Sequence, residues 1–358
     1  MNETCKKHVD SCRFCWMCRH ICPIGNATGL ERNTARARAL GLSLVNRGVY
    51  DISEIADNLY ECACCGACTK ECVTGWDPVM FTKAARLDAA LTGKLPSYIM
   101  KLVGNCLETG NAYGKTEIGK TLASAIAAHS KKTDTLLFLG IDARYMAESS
   151  AVNAILALEK AGVSFTVLAD EPASGAQLEY LIGAADETKK QMTACAAVLN
   201  TFSRVILYDP QDALVIKRTY GEWDITLNVE SITYSAFLAS MVDSGKLSIA
   251  KTAKKATYQD PFQLSRDLGE TEEARRIVSA RYTLTEMLLN RRDTMWAGNI
   301  LMTEWMPDVI TKVAQDRIIN ARNMGADIIV CASVSEYTSL KKAAPDDVTV
   351  LSLEELVL

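Results

Sequence analysis

The sequence has little of what most catalytic templates require. Its 358 residues include three histidines, His8, His20 and His129. These are too few and too scattered to suggest a Ser-His-Asp or Cys-His arrangement. No Gly-x-Gly-x-x-Gly follows a strand pattern, and no phosphate loop is present; the Gly-rich stretch 104–114 lacks the Lys-Ser/Thr ending and reads as a linker. Positive charge is not in excess. With a formal net charge of −4, no basic field exists to hold a nucleic-acid backbone. Apolar runs such as 136–141 are far shorter than a membrane-spanning helix. The opening Met-Asn-Glu-Thr-Cys-Lys-Lys shows no apolar signal segment. The expectation is a cytoplasmic chain with no nucleic-acid partner and no transmembrane segment. At 49% hydrophobic it can bury the cores of two or three domains.

What the sequence does have is cysteine: thirteen in all, ten of them before residue 73. Cys12, Cys15, Cys18 and Cys22 form a C-x-x-C-x-x-C-x-x-x-C run closed by Pro23. That is the ferredoxin-type ligand spacing for a [4Fe–4S] cluster. A tight loop supplies three thiolates to the corners of a cubane, and the fourth comes from elsewhere. Cys62, Cys65, Cys68 and Cys72 repeat the frame, with Cys64 as a spare. In two-cluster ferredoxins the last cysteine of each run ligates the other cluster. The expected sets are therefore Cys12, Cys15, Cys18 and Cys72 for one cluster, and Cys62, Cys65, Cys68 and Cys22 for the other. Two groups of four overfill a zinc template of paired C-x₂₋₄-C, and disulfides would need an oxidising compartment. A reducing cytoplasm, such as that of an anaerobe, suits these clusters. Cys5, Cys106, Cys195 and Cys331 read as packing thiols.

Between the two runs, 30–40 is rich in helix formers and Gly41 is placed to close the helix, while Asp51 and Glu54 carry a capping signature. Arg32, Arg36 and Arg38 either steady an anionic cluster or form a solvated helix face, and the solvated face is favoured for any one of them. Phe14, Trp16 and Met17 lie between ligands, where they would shield a cubane from water. Helix continues over 78–110 with a break at 94–96. From about residue 130 the texture alternates. Strands are expected at 134–140, 164–168, 204–208, 256–259 and 327–331, and helices at 149–161, from 212, at 271–280 and at 307–324.

The whole chain resembles the iron–sulfur subunits of heterodisulfide reductase, anaerobic glycerol-3-phosphate dehydrogenase and glycolate or lactate oxidase complexes. These join an α-helical two-cluster ferredoxin module, like that of succinate dehydrogenase, to two cysteine-rich CCG repeats. Ile141, Ala173, Ser174, Asp209 and Asp212 stand where the first repeat of that pattern has cysteine. Phe262, Met295, Trp296, Ser333 and Glu336 do so in the second. The resemblance implies a multi-domain α+β fold: a helical dicluster ferredoxin domain over 1–115, then degenerate CCG-like α/β repeats over 130–245 and 250–358. Every CCG cysteine is lost. Ile141, Phe262, Met295 and Trp296 would fill the vacated space as core, and Asp209, Asp212 and Glu336 read more readily as helix caps than as a metal or proton site. The function implied is electron transfer through two [4Fe–4S] clusters, with no catalysis in this chain. Its partner in a hetero-oligomer would be a flavoprotein carrying FAD or FMN, such as a 2-hydroxy-acid dehydrogenase. The alternatives are a reductase with its own substrate site between the repeats, or a redox-sensing assembly protein.

Overall fold

A computed structural model describes residues 2–13 and 15–358. Short helices make up the first part of the chain, and parallel strands alternating with helices the rest. The Ala35–Asn46 helix starts at Thr34, whose hydroxyl caps Ala37 N–H at 3.5 Å, and it runs straight through Gly41. Gly41 does not close the helix. A Cβ there would lie 3.2 Å from Ile55 Cγ2, so the glycine serves close packing between chain segments. Asp51 and Glu54 form the capping box read from the sequence, around a single 3₁₀ turn ahead of the Ala56–Tyr60 helix. The Pro78–Leu91 and Ser97–Thr109 helices flank the break at 94–96, and Gly104 and Cys106 belong to the second of them rather than to a linker.

Among the described residues seven strands build two parallel sheets. β1 (Thr135–Phe138), β2 (Arg204–Leu207) and β3 (Glu230–Thr233) lie in the order β1-β2-β3. β4 (Lys255–Gln259), β5 (Thr283–Leu284), β6 (Ile328–Cys331) and β7 (Thr349–Ser352) lie in the order β5-β4-β6-β7. The strand expected at 164–168 is reduced to one bridge, Leu136 to Thr166, on the open edge of β1. Thr166 thus takes the place beside β1 that β5 takes beside β4, and the two sheets share one neighbour order. Their helices meet in a common core containing Leu137, Ile206, Tyr258 and Val330.

Parallel strands send their carboxyl ends the same way, and that edge is where open α/β sheets place their sites. The segments after β1, β2, β4 and β6 carry Asp142, Asp209, Phe262 and Ser333, and all four residues line one cavity. A second core joins Leu59, Tyr60 and Phe81 of the helical part to Leu178, Tyr180, Phe262, Trp296 and Leu301. The cysteine-bearing helices and the sheets therefore share apolar interior.

Candidate functional site

Each cysteine run folds into a loop followed by a five-residue helix, and the two copies match closely. Trp16 (φ 68°) precedes the Met17–Ile21 helix and Gly66 (φ 72°) the Ala67–Glu71 helix, both in the left-handed region. Glycine takes that conformation freely whereas tryptophan is strained in it. Trp16 is held by the Arg36 guanidinium 3.6 Å from its ring centre. Cys22 (φ −76°, ψ 110°) and Cys72 (φ −77°, ψ 111°) end the two helices in extended backbone. The two helices pack against each other, and each closing cysteine faces away from its own loop. One cavity is lined by Cys12, Cys15, Cys18 and Cys72. Another is lined by Cys22, Cys62, Cys65 and Cys68.

The donor chemistry fits iron–sulfur clusters. Soft sulfur predominates in both cavities, with apolar walls: Met17 and Trp76 in the first, Ile24 and Val79 in the second. Trp76, which sequence reasoning passed over, is 2% exposed and is tied down by its indole N–H to His8 O at 2.9 Å. Trp16 and Met17 line the first cavity but are 38% and 43% exposed, so they screen it from one side only. Phe14 lies outside the described residues. Gly25 N–H donates to Cys22 Sγ at 3.4 Å and Cys64 N–H to Cys62 Sγ at 3.3 Å, contacts of the kind that tune a cluster's potential. Burial pushes the Cys65 thiol up to about 12 and raises Cys68 as well. Cys62 goes the other way, lowered by its contact with Cys64, so it is at Cys65 and Cys68 that the positive charge of a metal would favour the thiolate. Among the described residues no group of three or more His, Cys, Asp or Glu could hold a lone metal ion.

The three arginines divide. Arg32 lies on the surface and pairs with Glu61 at 2.6 Å. Arg36 borders the first cavity. Arg38 is 2% exposed, borders the second cavity and donates to Asn58 O at 3.0 Å, so the solvated-face reading fails for it. Residues without any motif hold the second loop, Arg86 from the Pro78–Leu91 helix and Tyr180 and Arg266 from the sheet side. Arg86 donates to Cys62 O at 2.7 Å and to Tyr180 O at 2.6 Å, and the Tyr180 hydroxyl donates to Cys62 O at 2.8 Å. Arg266 donates to Cys65 O.

The acids behave in two ways. Asp209 caps the Pro210–Leu214 helix by accepting from Gln211 N–H at 2.8 Å, and it lines a cavity with Asp212 and Asp142. Glu336 stands apart, accepting from Gln259 Nε2 at 3.1 Å and Ala297 N–H at 3.0 Å. It does not cap its helix; Ser333 does. Phe262 and Trp296 are core as expected, whereas Ile141 and Met295 are only half-buried and Ile141 lines the Asp209 cavity, so the space there is not filled solid.

Burial lifts the Glu336 carboxyl to about 8 from its ordinary 4.5. Above pH 4.5 the unfolded chain loses a proton that the folded chain keeps. Stability should therefore fall as pH rises toward about 8 and level off beyond it, by an amount on the order of 3–5 kcal/mol. Denaturant midpoints at pH 6 and pH 8.5 should differ in this sense, and Glu336→Gln should shrink the difference.

A larger cavity, about 460 Å³, lies between the second cysteine loop and both sheets and is lined by Cys64, Gly66, Lys83, Glu179, Arg218 and Phe262 among others. Cys64 (φ 52°) faces this space and is absent from the lining of the second cysteine cavity. Lys83 and Glu179 pair across its wall at 2.5 Å.

Residues 8–76 match the 4Fe-4S dicluster domain. A subunit of the dihydromethanophenazine:CoB–CoM heterodisulfide reductase of Methanosarcina mazei is 23% identical over 90% of this chain and 85% of its own length. Its counterpart in Methanosarcina barkeri is 24% identical over 98% and 93%. A probable membrane-anchored ferredoxin of Chromohalobacter salexigens is 27% identical over 72% of this chain, which spans only 39% of that protein. Among the described residues no helix is long and apolar enough to cross a membrane. The chain is a ferredoxin-like iron–sulfur protein related to this heterodisulfide reductase component.

Proposed function

We propose that this relative of a heterodisulfide reductase component is the electron-transfer subunit of an oxidoreductase complex, with two [4Fe–4S] clusters and a flavoprotein partner. The observation that carries the reading is the division of the eight run cysteines, four to each of two cavities. In the proposal Cys12, Cys15, Cys18 and Cys72 hold one cluster, and Cys62, Cys65, Cys68 and Cys22 the other. Each cluster, when bound, supplies one-electron chemistry. The chain's own residues set its surroundings. Trp76, Ile24 and Val79 exclude water, backbone N–H groups face the sulfurs, and Arg86 and Tyr180 fix the Cys62 carbonyl.

The two sites differ in access. Cys15, Trp16, Met17 and Val73 are exposed around the first, while the second lies under the sheets. The first is the port for the partner. Arg13 and Arg19 are exposed beside it, which favours an acidic partner surface. Arg13→Glu with Arg19→Glu should slow electron transfer from the flavoprotein about tenfold at low ionic strength, with a smaller effect in high salt. Stopped-flow reduction of the full chain measures this.

One observation favours a second reading, a reductase with its own substrate. The cavity beside Cys64 has room for a small molecule. Assay of the purified full chain separates the two. Reversible reduction with negligible turnover until the flavoprotein is added supports the relay, whereas turnover by the chain alone supports the reductase.

A further inference from the structure

The carboxyl ends of β1 and β2 bring three acids to one place that the relay does not use. Asp142, Asp209 and Asp212 line a cavity of about 40 Å³, large enough for a water molecule. Asp142 is satisfied: it accepts from Tyr113 Oη at 2.7 Å, Ser335 Oγ at 2.6 Å and Gln177 Nε2 at 3.2 Å. Asp212 accepts from the Ser174 hydroxyl. Asp209 is 4% exposed, and while its Oδ1 caps Gln211, its Oδ2 is buried and makes no hydrogen bond of ordinary geometry, although the backbone N–H groups of Asp212 and Val334 lie near the carboxyl. An unpaired carboxylate oxygen in a buried, acid-lined cavity is costly. A proton on it, shared with a water, removes that cost.

The glycine after β1 makes room for the cluster of acids. Gly140 (φ 85°) has Asp209 Cβ 3.3 Å from where its own Cβ would stand, and that Cβ would run into the Asp212 carboxylate. The cavity also touches the second cysteine loop. Ala63, between Cys62 and Cys64, forms part of its wall, and Tyr180, another wall residue, donates to Cys62 O at 2.8 Å. The larger, open cavity lies next to it, with Ala63, Tyr180, Gln211 and Phe262 lining both.

We propose that Asp209, with Asp212 and Asp142, forms a proton-binding site that takes up one proton from solvent when one electron reaches the neighbouring cysteine cavity. The inference rests on the electron-transfer reading. The electron comes from a one-electron donor protein and is balanced by the proton, so carboxylate becomes carboxylic acid and no bond between heavy atoms changes. The charged groups facing Asp209 are Asp142 and Asp212, with Glu171 beyond Gly140 and Arg144 beside Glu171; Tyr113 and Tyr208 are the titratable hydroxyls. Burial, with Asp142 second, lifts Asp209 to about 7. One more negative charge beyond the Ala63 wall raises it further. Asp209 and Asp212 titrate as a pair.

The test is a mediated redox titration of the full chain with both clusters reconstituted, from pH 6 to pH 9. One of the two potentials should fall as pH rises, the reduction equilibrium shifting at least tenfold toward the oxidised form across that range (about 59 mV per tenfold for one electron). Asp209→Asn keeps the helix cap, because its amide oxygen still accepts from Gln211 N–H, and should flatten the dependence. Asp209→Asn with Asp212→Asn prevents the proton from moving to the second acid and should flatten it fully. Asp170→Asn, on the surface, should leave it intact. Two pH-independent potentials in the native chain, or a slope that survives in the double variant, overturn the proton site and leave the relay standing. A chain with neither cluster reversibly reduced removes the relay and the coupled proton together.

Discussion

Cys22→Ala should destroy the cluster held by Cys62, Cys65 and Cys68 and spare the one held by Cys22's own sequence neighbours. Iron should drop from roughly eight to roughly four per chain, as one cubane is lost. The physical reason is local. The Met17–Ile21 helix turns Cys22 out of its loop in extended backbone, and Cys22 lines the cavity of the second run. Cys72 is placed in the same way with respect to the first, so Cys72→Ala should give the reciprocal loss. Cys64→Ala should leave the iron content unchanged, since Cys64 faces the larger cavity. The two variants should leave different clusters visible in resonance spectra. If Cys22→Ala instead removes the cluster of Cys12, Cys15 and Cys18, ligation is local to each run.

Arg86→Leu should destabilise the chain by about 3–5 kcal/mol and release iron from the second site first. Arg86 is 0% exposed, and its guanidinium satisfies three carbonyls: Leu59 O at 2.8 Å, Tyr180 O at 2.6 Å and Cys62 O at 2.7 Å. Leu59 O and Tyr180 O lose their side-chain donor at about 1–3 kcal/mol each, while Cys62 O keeps only the Tyr180 hydroxyl. Arg86→Lys should recover little, because an ammonium cannot reproduce the planar fork. The change is transmitted to the cysteine loop through the Cys62 carbonyl, so loss of iron should outpace loss of helix. Anaerobic denaturation curves and iron-release rates check both parts. A stable variant that keeps all its iron would show that this fork does not hold the loop.

The two cysteine runs were legible because their spacing is local, and so were strands that are short apolar runs, such as 135–138 and 328–331. Strands β3, β5 and β7 escaped notice, the first two because they are weakly marked; β7, Thr349–Ser352, does carry apolar Val350 and Leu351. In β3, Glu230–Thr233, only Ile232 is apolar, and β5 has two residues. Gly41 carries the composition of a helix end, yet it is needed inside a helix for contact with Ile55. Arg86, Tyr180 and Arg266 had no signature to read, because their partners are backbone carbonyls far along the chain, a kind of contact that leaves no residue-type pattern. Asp209 and Asp212 stood out as acids in a cysteine pattern, but their meeting with Asp142 depends on the parallel alignment of β1 and β2.

Anaerobic reconstitution of the full chain, followed by iron and acid-labile sulfide analysis and EPR of the dithionite-reduced protein, tests the two-cluster relay most directly. The predicted result is roughly eight iron and eight sulfide per chain, with two mutually split cubane signals that vanish on reoxidation and return on reduction. Four iron with one unsplit signal, zinc in place of iron, or a reduction that cannot be reversed would contradict it.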